Sequence, residues 1–392
     1  MTDEAINSML RSLDPYSGYY TDDDLELFES STKGSFGGIG IEITYENGAV
    51  KVVTPIDDLP AYNAGIEAGD YIVGINGKLV SNIGFNKAVK EMRGKIGTKL
   101  NLLVVKEKDN STKELELVRD TVKIKPVKTY VEHSDFGDIA YIRLVKFQED
   151  SFVSLKKAIN KISQDANNNN RKITGIILDL RNNPGGLLNQ AIDIVEYFID
   201  SGSIVSVKGR NQESIVKNAS RFAVKAPKVP MIVMINGGSA SASEIVAGAL
   251  QDHKRAIIIG TISFGKGLVQ SFMEINKRAA IKLTTAKYFT PSGRSINAKG
   301  IYPDIYIEDQ KVDYKDNDEG KNKIFTASSI KQYLKKYNTE NQLDDDKQKD
   351  KPKLSDKYKK DYLYARAYDI MRALIISSKI KNSEINKDSN SL

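Results

Sequence analysis

The segment around residues 229–251 carries the sharpest chemical signal in the chain. A buried apolar run, VPMIVMI, ends at a two-glycine turn, and serines 239, 241 and 243 then lead into the helix-forming run EIVAGALQ. A serine at a strand-to-helix turn is a recurrent placement for a nucleophile, because backbone N–H groups at the helix start surround it. The spacing Ser241-x-x-Glu244 also fits a helix capping box, so this segment alone leaves both interpretations open.

A lysine between two glycines supplies a candidate base for that serine. Lys266 stands 25 residues after Ser241, in the otherwise apolar stretch TISFGKGLVQS. A lysine in a desolvated pocket has its pKa lowered from ~10.4 toward neutrality, and the neutral amine can then accept a hydroxyl proton. Gln270, four residues on, could orient that amine. FGKG by itself is also typical of loops and phosphate contacts, but the full G-x-x-x-x-G-K-[ST] pattern of a nucleotide-binding loop is absent.

A second glycine turn, in DLRNNPGGLL, offers backbone donors. It directly follows the buried-strand run ITGIILDL, and most turns of this kind have no function. Gly185 and Gly186 nevertheless present unshielded N–H groups at a helix start, where a developing oxyanion would be stabilised. The N–H of Ala242, adjacent to Ser241, is the natural second donor.

The glycine-rich segment GSFGGIGIEI, residues 34–43, could bind the end of a peptide. Glycines before an apolar strand form a loop whose N–H groups can hold a terminal carboxylate, while the edge of the strand accepts a peptide by β-augmentation. A plain glycine-rich lead-in to a hairpin is the alternative, and a glycine cluster alone does not decide between the two.

The secondary-structure elements that must position these segments form two regions with different patterns. Residues 121–305 alternate strands such as IAYIRLV (139–145) and AIIIGT (256–261) with helices such as SFVSLKKAINKISQDA, which predicts a largely parallel sheet with covered faces. Residues 34–120 are β-rich, with a hairpin turn at Asn47-Gly48 and a helical run NKAVKEMRG.

The two ends of the chain are predicted to be helical. Residues 1–33 indicate a short helix, a turn at Asp14-Pro15 and an acidic helix through TDDDLELFESS. After Pro303 the sequence is rich in Lys, Asp and Asn, which is typical of solvated linkers. Two amphipathic helices interrupt that region, FTASSIKQYLKKY and DYLYARAYDIMRALII.

The composition excludes several kinds of chemistry. The 392 residues contain no Cys, which excludes disulfides, thiolate metal sites and a cysteine nucleophile. The two histidines, His133 and His253, cannot form a three-histidine metal site, and we interpret both as bystanders. No metal or organic cofactor is called for. The net charge of +7 is far below that typical of a nucleic-acid-binding protein. The sequence contains no run of ~20 apolar residues that would predict a membrane span.

The motifs together resemble a known family. Residues 34–120, with FGGIGIEI, AGIEAGDYIVGINGK and MRGKIGTKL, resemble a PDZ domain. With LDLRNNPGG, NGGSASASEIVAGALQD, GTISFGKGLVQ and TTAKYFTPSGRSINAKGIYPDI, they resemble the carboxyl-terminal processing (tail-specific) serine peptidases over about residues 1–310. The resemblance implies an α/β fold with a crotonase-like protease core at 121–310 and the PDZ domain inserted ahead of it. A helical segment at 1–33 and linkers with helices at 311–392 flank these units.

The resemblance also implies roles for single residues. Ser241 would be the nucleophile, Lys266 the general base and Gln270 its assistant. A glycine of the N-P-G-G turn, Gly185 or Gly186, would form the oxyanion hole with Ala242. The peptide carboxylate would be held by a loop that consists of Phe36, Gly37, Gly38, Ile39, Gly40 and Ile41.

Two further residues have a functional and a structural interpretation. Arg93, in MRGKIGT, could sense a bound peptide or form a surface salt bridge. Asp252, at the end of the helix that follows Ser241, matters in some relatives, but an exposed helix-end acid is the interpretation that we favour.

The function that follows is a serine endopeptidase that binds protein C-termini through its PDZ domain and cleaves near that end. A catalytically idle PDZ scaffold is the alternative. A crotonase-type acyl-CoA enzyme would share the fold but would leave the PDZ domain, Ser241 and Lys266 unexplained. The terminal segments 1–33 and 356–380 are candidate homodimer contacts. The resemblance implies an extracytoplasmic (periplasmic) location, although no export segment is present in the sequence.

Overall fold

A computed structural model of the chain describes residues 2–21, 25, 28, 30, 32–210, 213–276, 278–308, 310 and 355–389. Its helices, in chain order, are α1 Thr2–Arg11, α2 Pro60–Asn63, α3 Val80–Ile83, α4 Phe85–Met92, α5 Ser151–Asn168, α6 Leu188–Phe198, α7 Ala242–Asp252, α8 Asp356–Lys360 and α9 Tyr362–Ser389. Its strands are β1 Gly18–Thr21, β2 Ser35–Gly38, β3 Ile41–Glu46, β4 Ala49–Pro55, β5 Tyr71–Ile75, β6 Lys78–Leu79, β7 Lys99–Val105, β8 Thr112–Val118, β9 Asp120–Lys123, β10 Val127–Ser134, β11 Gly137–Leu144, β12 Ile173–Asp179, β13 Gly202–Gly209, β14 Ile215–Ala219, β15 Met231–Ile235, β16 Ile257–Gly260, β17 Leu268–Asn276, β18 Ala279–Phe289 and β19 Ile305–Tyr306.

The central sheet has the strand order β10-β11-β12-β15-β16-β19. β10 and β11 form an antiparallel hairpin, and every later neighbour in this order is parallel. The predicted strands 139–145, 173–180, 229–235 and 256–261 are its four middle members, so the prediction of a largely parallel sheet is confirmed. Because parallel strands share one carboxyl edge, the segments that follow β12 and β15 leave the sheet side by side.

Alternate residues of the central strands pack on opposite faces, as the period of two in a strand requires. Ile176 and Leu178 of β12 lie in one cluster with the inner faces of α5, α6 and α7. Ile177, between them, lies in a second cluster under α9, with Tyr364 and Met371. Each fully buried aliphatic side chain of these layers contributes about 1.5–3 kcal/mol. The sheet is therefore covered on both faces, and α9 forms one of the covers.

A second sheet of the core is antiparallel and brings in the amino-terminal end of the chain. Its order is β1-β18-β13-β14, and β17 also pairs with β18. Gly18 lies opposite Lys282 and Thr21 opposite Ala279 in the register of β1 and β18. The amino-terminal strand thus lies on the same hairpin, β17–β18, that follows Lys266 in the chain.

The β-rich region forms its own antiparallel sheet, in the order β3-β4-β5-β7-β8 with β6 beside β5. Its core contains Val50, Ile72 and Leu102 from the strands and Ala88 and Met92 from α4. β2 and β9, at the two ends of this region, pair with each other. The chain therefore enters and leaves the region at one point.

Several local predictions are confirmed. Asn47 and Gly48 form the two-residue connection between β3 and β4, and both have a positive φ, 54° and 78°. This is the backbone geometry that a tight hairpin requires. The predicted helix 361–376 lies in α9 from Tyr362 onward, and 151–166 lies in α5. The predicted acidic helix in 21–31 lies largely outside the described residues, and the predicted helix 325–337 lies wholly outside them.

Candidate active site

Ser241 stands at the junction between β15 and α7, immediately before the first residue of the helix. Its backbone has φ 55° and ψ −113°, a sparsely populated conformation that costs a non-glycine residue about 1–3 kcal/mol. The N–H of Ser241 donates to the Glu244 carboxylate at 2.8 Å, so the predicted cap does form. A strained residue that is held by a neighbouring carboxylate is typical of a side chain presented for chemistry.

The two serines beside it have structural roles. The Ser239 hydroxyl donates to the carbonyl of Leu180 at 2.8 Å, and the Ser243 hydroxyl donates to the carbonyl of Asn183 at 2.9 Å. Both residues are fully buried, whereas Ser241 is partly exposed. Of the three serines, Ser241 is therefore the one that a substrate could reach.

The turn with Gly185 and Gly186 lies against Ser241. A Cβ on Gly185 would lie 2.9 Å from the Cβ of Ser241 and 3.0 Å from the nitrogen of Ala242, so only glycine allows this approach. The N–H of Gly185 donates to the side chain of Asn183 at 2.9 Å. Within the described residues the N–H of Gly186 has no hydrogen-bond partner. The structure thus brings Gly185 to Ser241, while the adjacent Gly186 lies against Phe147 and keeps an uncommitted N–H.

Glu244 connects the nucleophile segment to the lysine segment. Its carboxylate is fully buried, and it accepts the N–H of Ser241 and the N–H of Lys266, each at 2.8 Å on Oε2. The other oxygen accepts the Ser263 hydroxyl and the N–H of Gly265, each at 2.6 Å. One buried carboxylate therefore fixes two residues that are 25 positions apart. The sequence indicated Glu244 only as a capping residue; its position inside an apolar helix was the signal of a larger role.

The Lys266 side chain is half-buried, and its nitrogen lies 4.4 Å from the centroid of the Tyr16 ring. Burial lowers the pKa of Lys266 below its ordinary value, and the nearby ammonium of Lys282 lowers it further. The carboxylates of Asp14 and Glu244 act in the opposite direction. This environment supplies the lowered pKa that a lysine base needs.

The side chains of Lys266 and Gln270 are not hydrogen-bonded to Ser241. In the part of the chain that the structure describes, no hydrogen bond joins the Lys266 nitrogen to the Ser241 hydroxyl, and the buried Nε2 of Gln270 has no partner. Catalytic hydrogen bonds are often long in proteins without substrate.

Asp179 and Arg181, at the base of the Gly185 turn, form an ion-pair network that the sequence did not single out. The Arg181 guanidinium is 7% exposed and donates to the Asp179 carboxylate at 2.7 Å. It also donates to both oxygens of Asp361, which precedes α9, at 2.8 and 2.7 Å. Burial by itself would raise the pKa of Asp361, but Arg181 more than offsets this and holds that pKa below its ordinary value. The network ties the turn to the carboxyl-terminal helix.

Residues 36–41, predicted as a loop, are the end of β2 (Phe36 to Gly38), a two-residue connection (Ile39 and Gly40) and the first residue of the edge strand β3. Within the described part of the chain, the N–H groups of Ile39 and Gly40 have no hydrogen-bond partner, which leaves them available to an anion. The Arg93 guanidinium stacks on the Phe36 ring, 4.3 Å from its centroid, and the N–H of Gly94 donates to the carbonyl of Gly37. The structure thus brings Arg93 to the predicted peptide-binding loop.

The remaining candidates lie away from Ser241. Asp252 is at the far end of α7 and binds Arg294 and the N–H of Ser292. Its side chain is 9% exposed, so the expectation of an exposed acid is wrong: the ion pair keeps it largely buried. His253 bonds the carbonyl of Ser203, and His133 bonds Asp138.

Two broad properties of the described residues bear on function. They contain no group of three or more His, Cys, Asp or Glu side chains that is placed to hold a metal ion. None of their helices combines the length and the apolar character that crossing a membrane would require.

Comparison with known families gives two matches along the chain. The profile of peptidase family S41 matches residues 138–307, and that of a PDZ domain matches residues 51–106. The first match contains Ser241, Lys266 and both glycines of the turn. The second contains most of β4 and all of β5 and β7.

Curated relatives extend the likeness over most of the chain. A carboxy-terminal-processing protease of Bartonella bacilliformis is 49% identical over 308 residues, which cover 79% of this chain and 70% of that protein. A probable CtpA-like serine protease of Staphylococcus epidermidis is 36% identical over 314 residues, 79% of this chain and 61% of that protein. The chain thus spans less than two thirds of the staphylococcal relative's length.

One solved structure agrees on the fold. A proposed S41 protease from Bacteroides fragilis has a TM-score of 0.51 at 15% identity and covers 77% of this chain and 82% of its own. A photosystem II D1 C-terminal processing protease has a TM-score of 0.49 at 29% identity, and the match covers 78% of this chain and 82% of that chain. The 49% identity to the Bartonella protein and the two profile matches show the family. The chain belongs to the carboxy-terminal-processing proteases, which are serine-type peptidases of family S41 with a PDZ domain.

Proposed function

We propose that the chain is a serine endopeptidase in which Ser241 is the nucleophile and Lys266 the general base. The observation that carries this proposal is the shared acceptor: one oxygen of Glu244 holds the N–H groups of both residues. The two side chains therefore start from neighbouring, fixed backbone positions, which is the preorganisation that nucleophilic catalysis needs.

The proposed reaction begins with the neutral amine of Lys266. It takes the proton of the Ser241 hydroxyl, and the serine oxygen attacks a peptide carbonyl. The N–H groups of Ala242 and of the Gly185–Gly186 turn receive the oxyanion, and Gln270 orients the amine. The protonated lysine then gives its proton to the leaving amine, and water resolves the acyl-enzyme. The nucleophile, the base and the oxyanion donors of this reaction all belong to the chain itself.

We further propose that residues 34–120 form the PDZ domain and residues 121–310 the protease core, flanked by the segments 1–33 and 311–392. The two separate hydrophobic clusters and the pairing of β2 with β9 support these boundaries. A crotonase-like core is supported by the parallel order β11-β12-β15-β16, with α5, α6 and α7 on one face and α9 on the other.

The PDZ domain would capture the substrate's carboxyl terminus. The uncommitted N–H groups of Ile39 and Gly40 would hold the terminal carboxylate, and β3, at the end of its strand order, would pair with the peptide. Arg93, which stacks on Phe36, would sense the occupied loop. Cleavage near that end follows when the remaining chain crosses the core.

The test of the catalytic assignment is cleavage of an unfolded protein by purified Ser241→Ala and Lys266→Ala variants. We expect each to lower kcat/KM by ~10³-fold or more, because the two residues act as a unit. Matched controls are Ser271→Ala and Lys287→Ala, which change a serine and a lysine on the neighbouring hairpin. Retained cleavage by Ser241→Ala would overturn the proposal. Binding without fragments by the unaltered chain would favour the idle scaffold.

Recognition of the carboxyl terminus is tested separately with a pair of peptides, one with a free terminal carboxylate and one amidated. We expect the amidated peptide to be cleaved at least ~10-fold more slowly, since charge-assisted hydrogen bonds to the carboxylate are lost. Equal rates would contradict the role of residues 36–41.

The proposals on cellular location and oligomeric state are based on the resemblance to the family. We propose extracytoplasmic action on protein substrates, which fractionation of cells with an antibody to the chain would test. A homodimer through 1–33 and 356–380 stays a prediction. Within one chain, Leu363, Tyr364 and Met371 already bury the apolar face of α9 against the central sheet.

A further inference from the structure

The segment from Asp14 to Thr21 is fixed beside the proposed general base. The Asp14 carboxylate accepts the N–H groups of Tyr16 and Ser17 at 2.8 and 2.9 Å, and it also accepts the Ser17 hydroxyl at 2.7 Å. The Ser17 hydroxyl in turn accepts the N–H of Thr284 at 3.1 Å. These bonds anchor the turn to β18 and determine where the Tyr16 ring lies.

The Tyr16 ring faces the end of the Lys266 side chain. The Lys266 nitrogen lies 4.4 Å from the ring centroid, well within the ~6 Å range of a cation–π contact. Among the described residues the Lys266 nitrogen donates no hydrogen bond, and it lies over the face of the Tyr16 ring. The neighbouring Lys282 differs: its nitrogen lies 5.4 Å from the centroid of the Tyr20 ring and donates to the Tyr20 hydroxyl at 3.1 Å.

We propose that Tyr16 is a positioning residue for Lys266: its ring face holds the ammonium in the resting enzyme and releases the neutral amine toward Ser241. The inference rests on the proposed Ser/Lys function. Its physical basis is that an aromatic quadrupole attracts a cation but has little attraction for a neutral amine. The contact is thus strongest in the protonation state that cannot act as a base, and it weakens when the proton leaves.

The charged groups around Lys266 come from three other elements: Lys282 on β18, Asp14 in the amino-terminal turn and Glu244 on α7. Burial and Lys282 lower the pKa of Lys266, while the two carboxylates raise it. Tyr16 adds two opposing effects, because its bulk excludes water from the nitrogen and its ring face favours the ammonium. Substitutions at position 16 can separate these effects.

The experiment measures kcat/KM against pH with a reporter peptide for the unaltered enzyme and three variants. Tyr16→Leu keeps the apolar cover and removes the ring, so the pKa of Lys266 falls and the acid limb moves to lower pH by about 0.5 unit or more. Tyr16→Phe keeps the aromatic ring face, so the acid limb of its kcat/KM profile stays at the same pH as in the unaltered enzyme. Tyr16→Ala also admits water, which puts its limb at higher pH than that of Tyr16→Leu. Tyr19→Leu, on the strand β1 that follows the turn, is the control and leaves the acid limb unchanged.

A second readout does not depend on turnover. In a Ser241→Ala background, the rate at which acetic anhydride acetylates Lys266, followed by mass spectrometry across pH, reports the protonation of the amine directly. We expect the same order of midpoints, with Tyr16→Leu below Tyr16→Phe. Identical midpoints in these two variants would overturn the role of Tyr16. Cleavage by Ser241→Ala itself would instead overturn the Ser/Lys function, so the two failures are distinguishable.

Discussion

The nucleophile segment and the lysine segment differ in how completely their polar groups are satisfied. Around Ser241, the hydroxyls of Ser239 and Ser243 and the N–H of Ser241 all have partners. Glu244 also holds the backbone N–H of Lys266. The side-chain nitrogen of Lys266, however, lies over the Tyr16 ring, and the Nε2 of Gln270 is buried without a hydrogen-bond partner.

In the proposed reaction, this difference assigns the movement to the lysine half of the site. The N–H groups of Ser241 and Gly185 are already fixed by hydrogen bonds, so this half needs no rearrangement. Lys266 and Gln270, the proposed base and its assistant, have side-chain ends without hydrogen-bond partners among the described residues, and an unpartnered buried amide lowers stability. Such a cost is expected where function requires the group.

The largest expected effect comes from removing the element that both halves share. Glu244→Gln replaces one acceptor oxygen by an amide group that faces N–H donors. We expect the free energy of unfolding to fall by about 2–4 kcal/mol and cleavage to be lost, because both segments lose their common anchor. Urea denaturation and the peptide assay measure the two effects. A variant with normal stability and activity would show that the halves are held independently.

A smaller effect is expected from loosening the nucleophile half alone, through Asp361→Asn. Arg181 would keep its ion pair with Asp179 but lose the charge of Asp361. We expect the free energy of unfolding to fall by about 1–3 kcal/mol. We also expect kcat to fall by a larger factor than KM rises. Asp369→Asn, in an exposed pair with Arg366, is the matched control and should cost less than ~1 kcal/mol. Equal effects of the two substitutions would mean that Asp361 does not support the turn.

The smallest effect on stability is expected on the lysine half. Gln270→Leu removes the unpartnered amide and keeps an apolar side chain of similar size, so the free energy of unfolding should stay the same or rise by up to ~1 kcal/mol. Cleavage should nevertheless fall by ~10-fold or more, because the lysine loses its assistant. A parallel loss of stability and activity would contradict the contrast between the two halves.

Local patterns were sufficient for much of the fold. The apolar runs predicted β11, β12, β15 and β16, because a buried strand must be apolar on both faces wherever helices cover the sheet. The Asn47-Gly48 turn was predictable because few residues tolerate two successive positive φ angles. Ser241 and Lys266 could be singled out because small residues and apolar runs flank both.

Other features of the site had no local signal. Asp252 was expected to be exposed, since nothing near it in the sequence shows that Arg294 would cover it. Asp361 lies far along the chain from Arg181, and its pairing depends on how α9 packs on the central sheet.

The sequence by itself determined which residue types are available for chemistry and which elements carry them. A chain without cysteine and with two histidines had to use other groups, and its motifs placed serine, lysine and glycine at the ends of predicted strands. Only the tertiary structure decided that Glu244 anchors both segments and that Tyr16 covers Lys266. The physical reason is that these contacts join residues distant in the chain, whose distances depend on sheet order and packing rather than on local pattern.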